Sequence, residues 1–271
     1  MAKRAPKKYP SLRFFITVTI MIIVGLVLVL SVGFYYIKTS SILRKTSRDS
    51  IVRELNQVND TIQDQVETID SIIPLFMSNE VIQNALENPG AGINYPFSVE
   101  RQMSYIYNSS ALSEKNFTDS IYIYNSRSTV YHAYTSGILE NVDDTSEFLQ
   151  STIDSANPHL MCYTSPLHDQ NMYFARNLYS SNSGNRIGMI VININAQKWI
   201  EYCSKTIDPS WFIMLFNKEF SLSSDSDFSK DQLLDLYSSL TAQKNSVLFK
   251  EQSFGGRDYF MASQSLERLG L

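Results

Sequence analysis

The run Phe14–Ile37, FFITVTIMIIVGLVLVLSVGFYYI, holds 24 residues without a single charge. As a helix rising about 1.5 Å per residue it crosses a hydrocarbon core of roughly 30 Å with length to spare for tilt. It separates a tail of 13 residues from a polar remainder of 234. The fold and function of the chain are therefore a question about a single-span protein and what it carries on one side of a membrane.

The tail contains Lys3, Arg4, Lys7, Lys8 and Arg13 and no acid. Basic flanks stay in the cytoplasm, which places the N-terminus inside and residues 38–271 outside. Lys38, Arg44, Lys45 and Arg48 on the far flank work against that orientation. A cleaved signal peptide has a shorter apolar region, about 7–15 residues, ending in small residues. This run ends in Phe34, Tyr35 and Tyr36, which suit an interfacial belt, so it reads as an uncleaved signal anchor.

All 27 acidic residues lie beyond the run; five of the 23 basic ones precede it, leaving 18 and a net charge of −9 on the remainder. Such a balance argues against nucleic acid as a partner, because phosphate contacts need a basic face. Two cysteines, Cys162 and Cys203, are too few for a disulfide framework. They either pair outside the cell or stand as separate buried thiols.

After the span, Ile51, Leu55, Val58, Ile62, Val66, Ile69, Ile73 and Phe76 recur in steps of three and four, the stripe of one long amphipathic helix. The stripe either packs on the chain's own sheet or pairs with the same helix of a second chain. Pro74 is expected to kink this helix or start a new segment. A second helix is expected over Met77–Leu86, stopped at Asn88-Pro89-Gly90. Beyond it the pattern reads as a helix over Pro96–Ser113 and strands at Asp119–Asn125, Val130–His132, Leu160–Thr164, Asn171–Leu178 and Arg186–Asn195. A short helix is expected over Thr145–Ser155 and another over Ala196–Lys205. A smaller unit follows, with strands at Trp211–Asn217, Phe220–Ser223, Val247–Glu251 and Asp258–Ser263, and a helix at Lys230–Leu240. The fold class is α+β: a membrane helix continuing into a long stalk helix, then two antiparallel-sheet units.

No catalytic constellation stands out. His132, His159 and His168 are scattered and lack the spacing of a zinc site. Asp225, Asp227 and Asp231 lack the glycine and terminal Glu of a calcium loop. No catalytic residue, metal ligand or cofactor is assigned. The aromatic content is more informative, since ten of the 16 tyrosines fall between Tyr95 and Tyr179. In a strand, Tyr122 and Tyr124 share one face while Ile121 and Ile123 share the other. The tyrosine side suits a pocket floor, with Tyr131, Tyr134, Tyr163 and Tyr173 as further lining; tyrosine is also a good strand former that packs without any ligand. Arg176 sits inside an apolar strand and needs a partner: an internal acid such as Asp119 or Asp143, or the carboxylate of a ligand.

The order of basic tail, span, amphipathic helix, Ser120-Ile-Tyr-Ile-Tyr-Asn125, Tyr173-Phe-Ala-Arg176-Asn-Leu and Arg186-Ile-Gly188-Met-Ile-Val-Ile-Asn193-Ile resembles the extracellular double Cache (PAS-like) sensor region of LytS/YesM-type bacterial sensor histidine kinases. Gly256-Arg-Asp-Tyr259-Phe-Met-Ala-Ser263 resembles the closing strands of the membrane-proximal unit. The resemblance covers essentially the whole chain. It implies a cytoplasmic tail (1–13), a transmembrane helix (14–37), stalk helices (38–88), a membrane-distal Cache unit (89–205) and a membrane-proximal unit (206–271) incomplete at its C-terminus. The family's second span, HAMP linker, phosphoacceptor helix and ATPase domain find no counterpart, so the chain reads as the signal-sensing input of a two-component kinase. The partners implied are the membrane, a second copy in a homodimer, and a small ligand (sugar, peptide or small acid) or an extracellular solute-binding protein. The arginine-and-aromatic amino-acid motif of some double Cache receptors is not found. The rival outputs are a membrane-bound AraC-type regulator or a chemoreceptor; an anchored enzyme or adhesion protein fits less well.

Overall fold

The computed structural model describes residues 12–88, 95–125, 130–134, 150, 152–153, 159–164, 171–180, 182–205, 207–208, 211–216, 221–224, 248–254 and 257–263. The expected helices over Thr145–Ser155 and Lys230–Leu240 fall mostly or wholly outside these residues. So do the basic tail up to Ser11, Pro89-Gly90, Asp143, His168, Asp225, Asp227 and Asp231.

Helix α1 runs over Leu12–Met77, 66 residues. The chain divides into two compact units inside that helix, Met1–Arg53 and Glu54–Leu271. In the first unit the apolar run is exposed along its length, and by length and composition it is one helix able to cross a membrane. Its threonines do not leave polar groups bare: Thr17 Oγ1 donates to the Arg13 carbonyl and Thr19 Oγ1 to that of Phe15, each at 2.9 Å.

In the second unit the stripe packs on the chain's own sheet. Val58, Ile62, Val66, Ile69, Ile73 and Phe76 are buried in one core with Ile121, Ile123, Phe174, Ile190 and Ile192. The helix continues through Pro74 for one further turn, which corrects the expectation of a new segment there. Pro74 lacks an N–H, so the Asp70 carbonyl loses its intrahelical partner, yet the Pro74 carbonyl still accepts from Ser78 N at 2.9 Å. The break comes at Asn79. Its Oδ1 accepts from Val81 N at 3.1 Å and Ile82 N at 3.2 Å, starting helix α2 at Glu80–Glu87 rather than at Met77. Helix α3, Tyr95–Asn108, ends before the expected Ser113. The Ser109 and Ser110 hydroxyls turn back onto the Ile106 and Tyr107 carbonyls at 3.0 and 2.6 Å and stop it.

Five antiparallel strands follow: β1 (Thr118–Asn125), β2 (Val130–Tyr134), β3 (Met161–Thr164), β4 (Asn171–Tyr179) and β5 (Arg186–Asn195). Their spatial order is β2-β1-β5-β4-β3. The β4–β5 turn closes through Ser180 N to the Asn185 carbonyl at 2.8 Å, with Gly184 at φ 67°. Gly188 faces the β1 backbone: a Cβ there would collide with the Tyr124 carbonyl oxygen and sit 3.0 Å from Leu86 Cδ2. Asn195 caps helix α4 (Ala196–Ser204), accepting from Lys198 N at 3.0 Å. Helix α4 buries Trp199 edge-to-face on Phe174, ring centroids 6.4 Å apart. Beyond α4 the chain adds two two-stranded ladders, β6 (Met214–Phe216) with β7 (Ser221–Ser223) and β8 (Leu248–Phe254) with β9 (Arg257–Ser263). The class is the expected one, a long apolar N-terminal helix followed by α+β sheet units.

Both cysteines are free thiols. Cys203 is buried and Cys162 partly so, and burial pushes both thiols up to about 12. Neither forms a thiolate near neutrality, so neither is a ready nucleophile.

Candidate ligand-binding site

The strand period of two gives the five-stranded sheet two faces. Register aligns Tyr163, Tyr173, Asn193 and Ser120 in one row across β3, β4, β5 and β1. The next row on the same face is Met161, Ala175, Val191 and Tyr122, and beyond it stand Met189 and Tyr124. Tyr122, Tyr173, Ala175, Met189 and Val191 form a cluster separate from the helix-side core, with Tyr124, Tyr163, Met161 and Ile153 packed on it. Ring centroids lie 6.5 Å apart for Tyr122–Tyr124 and 6.3 Å for Tyr163–Tyr173, both pairs tilted. Burial, with Tyr122 and Tyr173 close by, raises the Tyr124 hydroxyl well above its ordinary range, so this group acts as a neutral phenol.

Four of the residues singled out from the sequence, Tyr122, Tyr124, Tyr163 and Tyr173, are thus brought together. Tyr134 pairs with Ser120 in register, and its side chain lies outside the described residues. Tyr131 and Arg176 belong to the other face. Tyr131 pairs with Ile123, Ile123 with Ile190 and Ile190 with Arg176, a row lying on the helix side. Tyr131 is 3% exposed inside the helix-side core, so the odd parity that separates it from Tyr122 also separates it from the tyrosine cluster. Among the described residues the partner of Arg176 is Asp70 rather than Asp119: its Nη1 meets Asp70 Oδ1 of α1 at 2.8 Å. Asp119 instead lies 3.7 Å from Lys198 Nζ.

Two polar residues of the tyrosine face escaped the sequence reading. Asn193 is 4% exposed, and its Oδ1 has no hydrogen-bond partner. Ser120, opposite it, is 5% exposed. The signal was present in Ile190-Val-Ile-Asn193-Ile: a lone amide inside an apolar strand raises the same question as Arg176. On the same side Asn177 Nδ2 donates to the Thr152 carbonyl at 2.7 Å, tying residues before β3 to this face. No group of three His, Cys, Asp or Glu able to hold a metal occurs among the described residues.

No protein-family model and no curated protein matches the chain. Solved structures do. The ligand-binding domain of the Campylobacter jejuni chemoreceptor Tlp3 in complex with L-norvaline aligns with a TM-score of 0.54 at 13% identity, covering 80% of this chain and 85% of that one. The sensory domain of the same receptor with isoleucine bound gives 0.52 at 12%, covering 81% and 88%. A domain of a sensory box/GGDEF family protein from Vibrio parahaemolyticus gives 0.50 at 12%, covering 84% and 99%. At such identities the likeness concerns the fold alone: a long helix followed by antiparallel α+β sheet units.

Proposed function

We propose that this chain is the ligand-sensing module of a membrane-anchored bacterial receptor, with its N-terminus in the cytoplasm and residues 38–271 outside. Residues 89–205 act as the membrane-distal unit, 206–271 as the membrane-proximal unit and 38–88 as the stalk, in a homodimer. The observation that carries this reading is the division of one sheet. Its helix face is packed on Val58–Phe76, the continuation of the helix that begins in the apolar run. Its other face buries tyrosines, a serine and an amide. A ligand on the tyrosine face that binds one arrangement of the sheet better than another shifts the population seen by α1, and a coupling of about 1–3 kcal/mol suffices.

A chemoreceptor is the favoured output, since the Tlp3 sensory domain shares this architecture over more than four-fifths of its length. The same fold in a GGDEF protein supports sensing as such. A histidine-kinase output is the second reading, favoured by the strand motifs Ser120–Asn125 and Arg186–Ile194. The ligand is a small molecule; the Tlp3 complexes make an amino-acid-like compound one candidate, and an extracellular solute-binding protein is the alternative input. Fusing residues 1–271 to a chemoreceptor signalling domain, and separately to a kinase domain, tests the reading. Ligand-dependent output from either fusion is expected, and the one that responds identifies the output class. Constitutive or absent output from both, with the chain folded and inserted, overturns it.

A further inference from the structure

We propose that the tyrosine face binds an organic amine, through an ammonium group held against Tyr122, Tyr124, Tyr163 and Tyr173 with Asn193 Oδ1 accepting an N–H. This deepens the sensing reading and rests on it.

The argument begins with charge. The three rows carrying these groups across β3, β4, β5 and β1 contain no charged side chain, and on β2 His132, opposite Tyr122, is engaged with Glu100 at 3.0 Å. The guanidinium nearest in sequence, Arg176, belongs to the opposite face and is engaged with Asp70. A carboxylate or phosphate buried on this face would lack a counter-charge, which is costly. A cation meets the reverse situation. Tyrosine rings present a negative face to it, and clustered rings recognise ammonium groups. The buried Asn193 carbonyl oxygen, unpartnered in the protein, supplies the acceptor that an ammonium N–H needs.

The test uses the full chain in detergent micelles and three amines that carry N–H groups: isoamylamine, putrescine and isobutylamine. Each is run beside an uncharged alcohol and a carboxylate of matched shape, with thermal unfolding and calorimetric titration as readouts. At least one amine is expected to raise the melting temperature saturably and to bind at least tenfold tighter than both matched compounds. Tyr124→Leu removes a ring that is only partly buried, so the fold should tolerate it; it should weaken that amine about tenfold, while Tyr124→Phe keeps most of the affinity. Equal loss in both variants means that the ring face is not the contact, and overturns the proposal. Preferential binding of a carboxylate or an alcohol overturns the amine class and leaves ligand sensing standing. Silence across all the compounds overturns the amine class and weakens direct sensing in favour of a protein input.

Discussion

Alternate residues of the same strands build two unlike faces on the five-stranded sheet. On one, Ile121, Ile123, Phe174, Ile190 and Ile192 interlock with α1 and α4, and the side chains are almost wholly aliphatic or aromatic. On the other, Ser120, Tyr122, Tyr173 and Asn193 are as thoroughly buried but carry hydroxyls and an amide. Buried polar atoms without a partner occur on both sides, Gln65 Oε1 and Trp199 Nε1 on the packing helices and Asn193 Oδ1 on the tyrosine face, each costing about 1–3 kcal/mol, but the tyrosine face gathers hydroxyls and an amide in adjoining rows. The contrast teaches that burial alone does not identify a structural core; the polar inventory of the buried face separates packing from recognition.

The comparison can be broken first on the helix side. Trp199→Ala should cost about 3–5 kcal/mol, because a fully buried indole is lost and the Phe174 ring loses its edge-to-face partner. Urea unfolding of the full chain in micelles measures it, and a cost below about 1 kcal/mol would show that this face is loosely packed. Gly188→Ala should cost about 1–3 kcal/mol, since the added methyl meets the Tyr124 carbonyl oxygen and backbone cannot retreat as a side chain would. On the tyrosine side, Tyr124→Leu should change stability by no more than about 1 kcal/mol, since the ring is only partly buried, while weakening the ligand response. A large stability loss with unchanged response would reverse the roles assigned to the two faces.

Smaller effects sharpen the picture. Arg176→Met should cost only about 0–1 kcal/mol, because both members of the ion pair with Asp70 retain solvent contact. Alkaline pH probes the buried thiols. The Cys203 thiol holds its proton in the folded protein up to about 12, whereas the unfolded chain releases it near the ordinary value of 9.0. The folded state therefore binds more protons across that window, so stability falls as pH rises from about 9 toward 12. Cys203→Ala should flatten this fall in a series of unfolding midpoints against pH.

Much of the fold was legible because periodicity is a local signal. The three-and-four spacing from Val58 to Phe76 and the alternation in Ser120–Asn125 follow directly from how helices and strands bury one side. Arg186–Asn195 was matched to the residue. The choice between own-sheet packing and pairing with a second chain was not in the stripe, because both burials use the same spacing. Arg176 pairs with an internal acid as its strand position suggested, but which acid was not legible: Asp70 lies 106 positions away on α1, and only the sheet's seat on that helix joins them. Tyr131 was misplaced because the turn between β1 and β2 sets the register, and a shift of one residue exchanges the faces. Pro74 starts no new segment because a proline near a helix end sacrifices one hydrogen bond without ending the helix.

The most direct test measures the ligand-induced rise in melting temperature, with the amine that stabilises the wild type best, in three forms of the full chain: wild type, Asn193→Leu and Arg176→Met. A saturable shift that is retained in Arg176→Met and lost in Asn193→Leu is the predicted result. A shift that survives in Asn193→Leu and disappears in Arg176→Met would place recognition on the helix side and contradict the account.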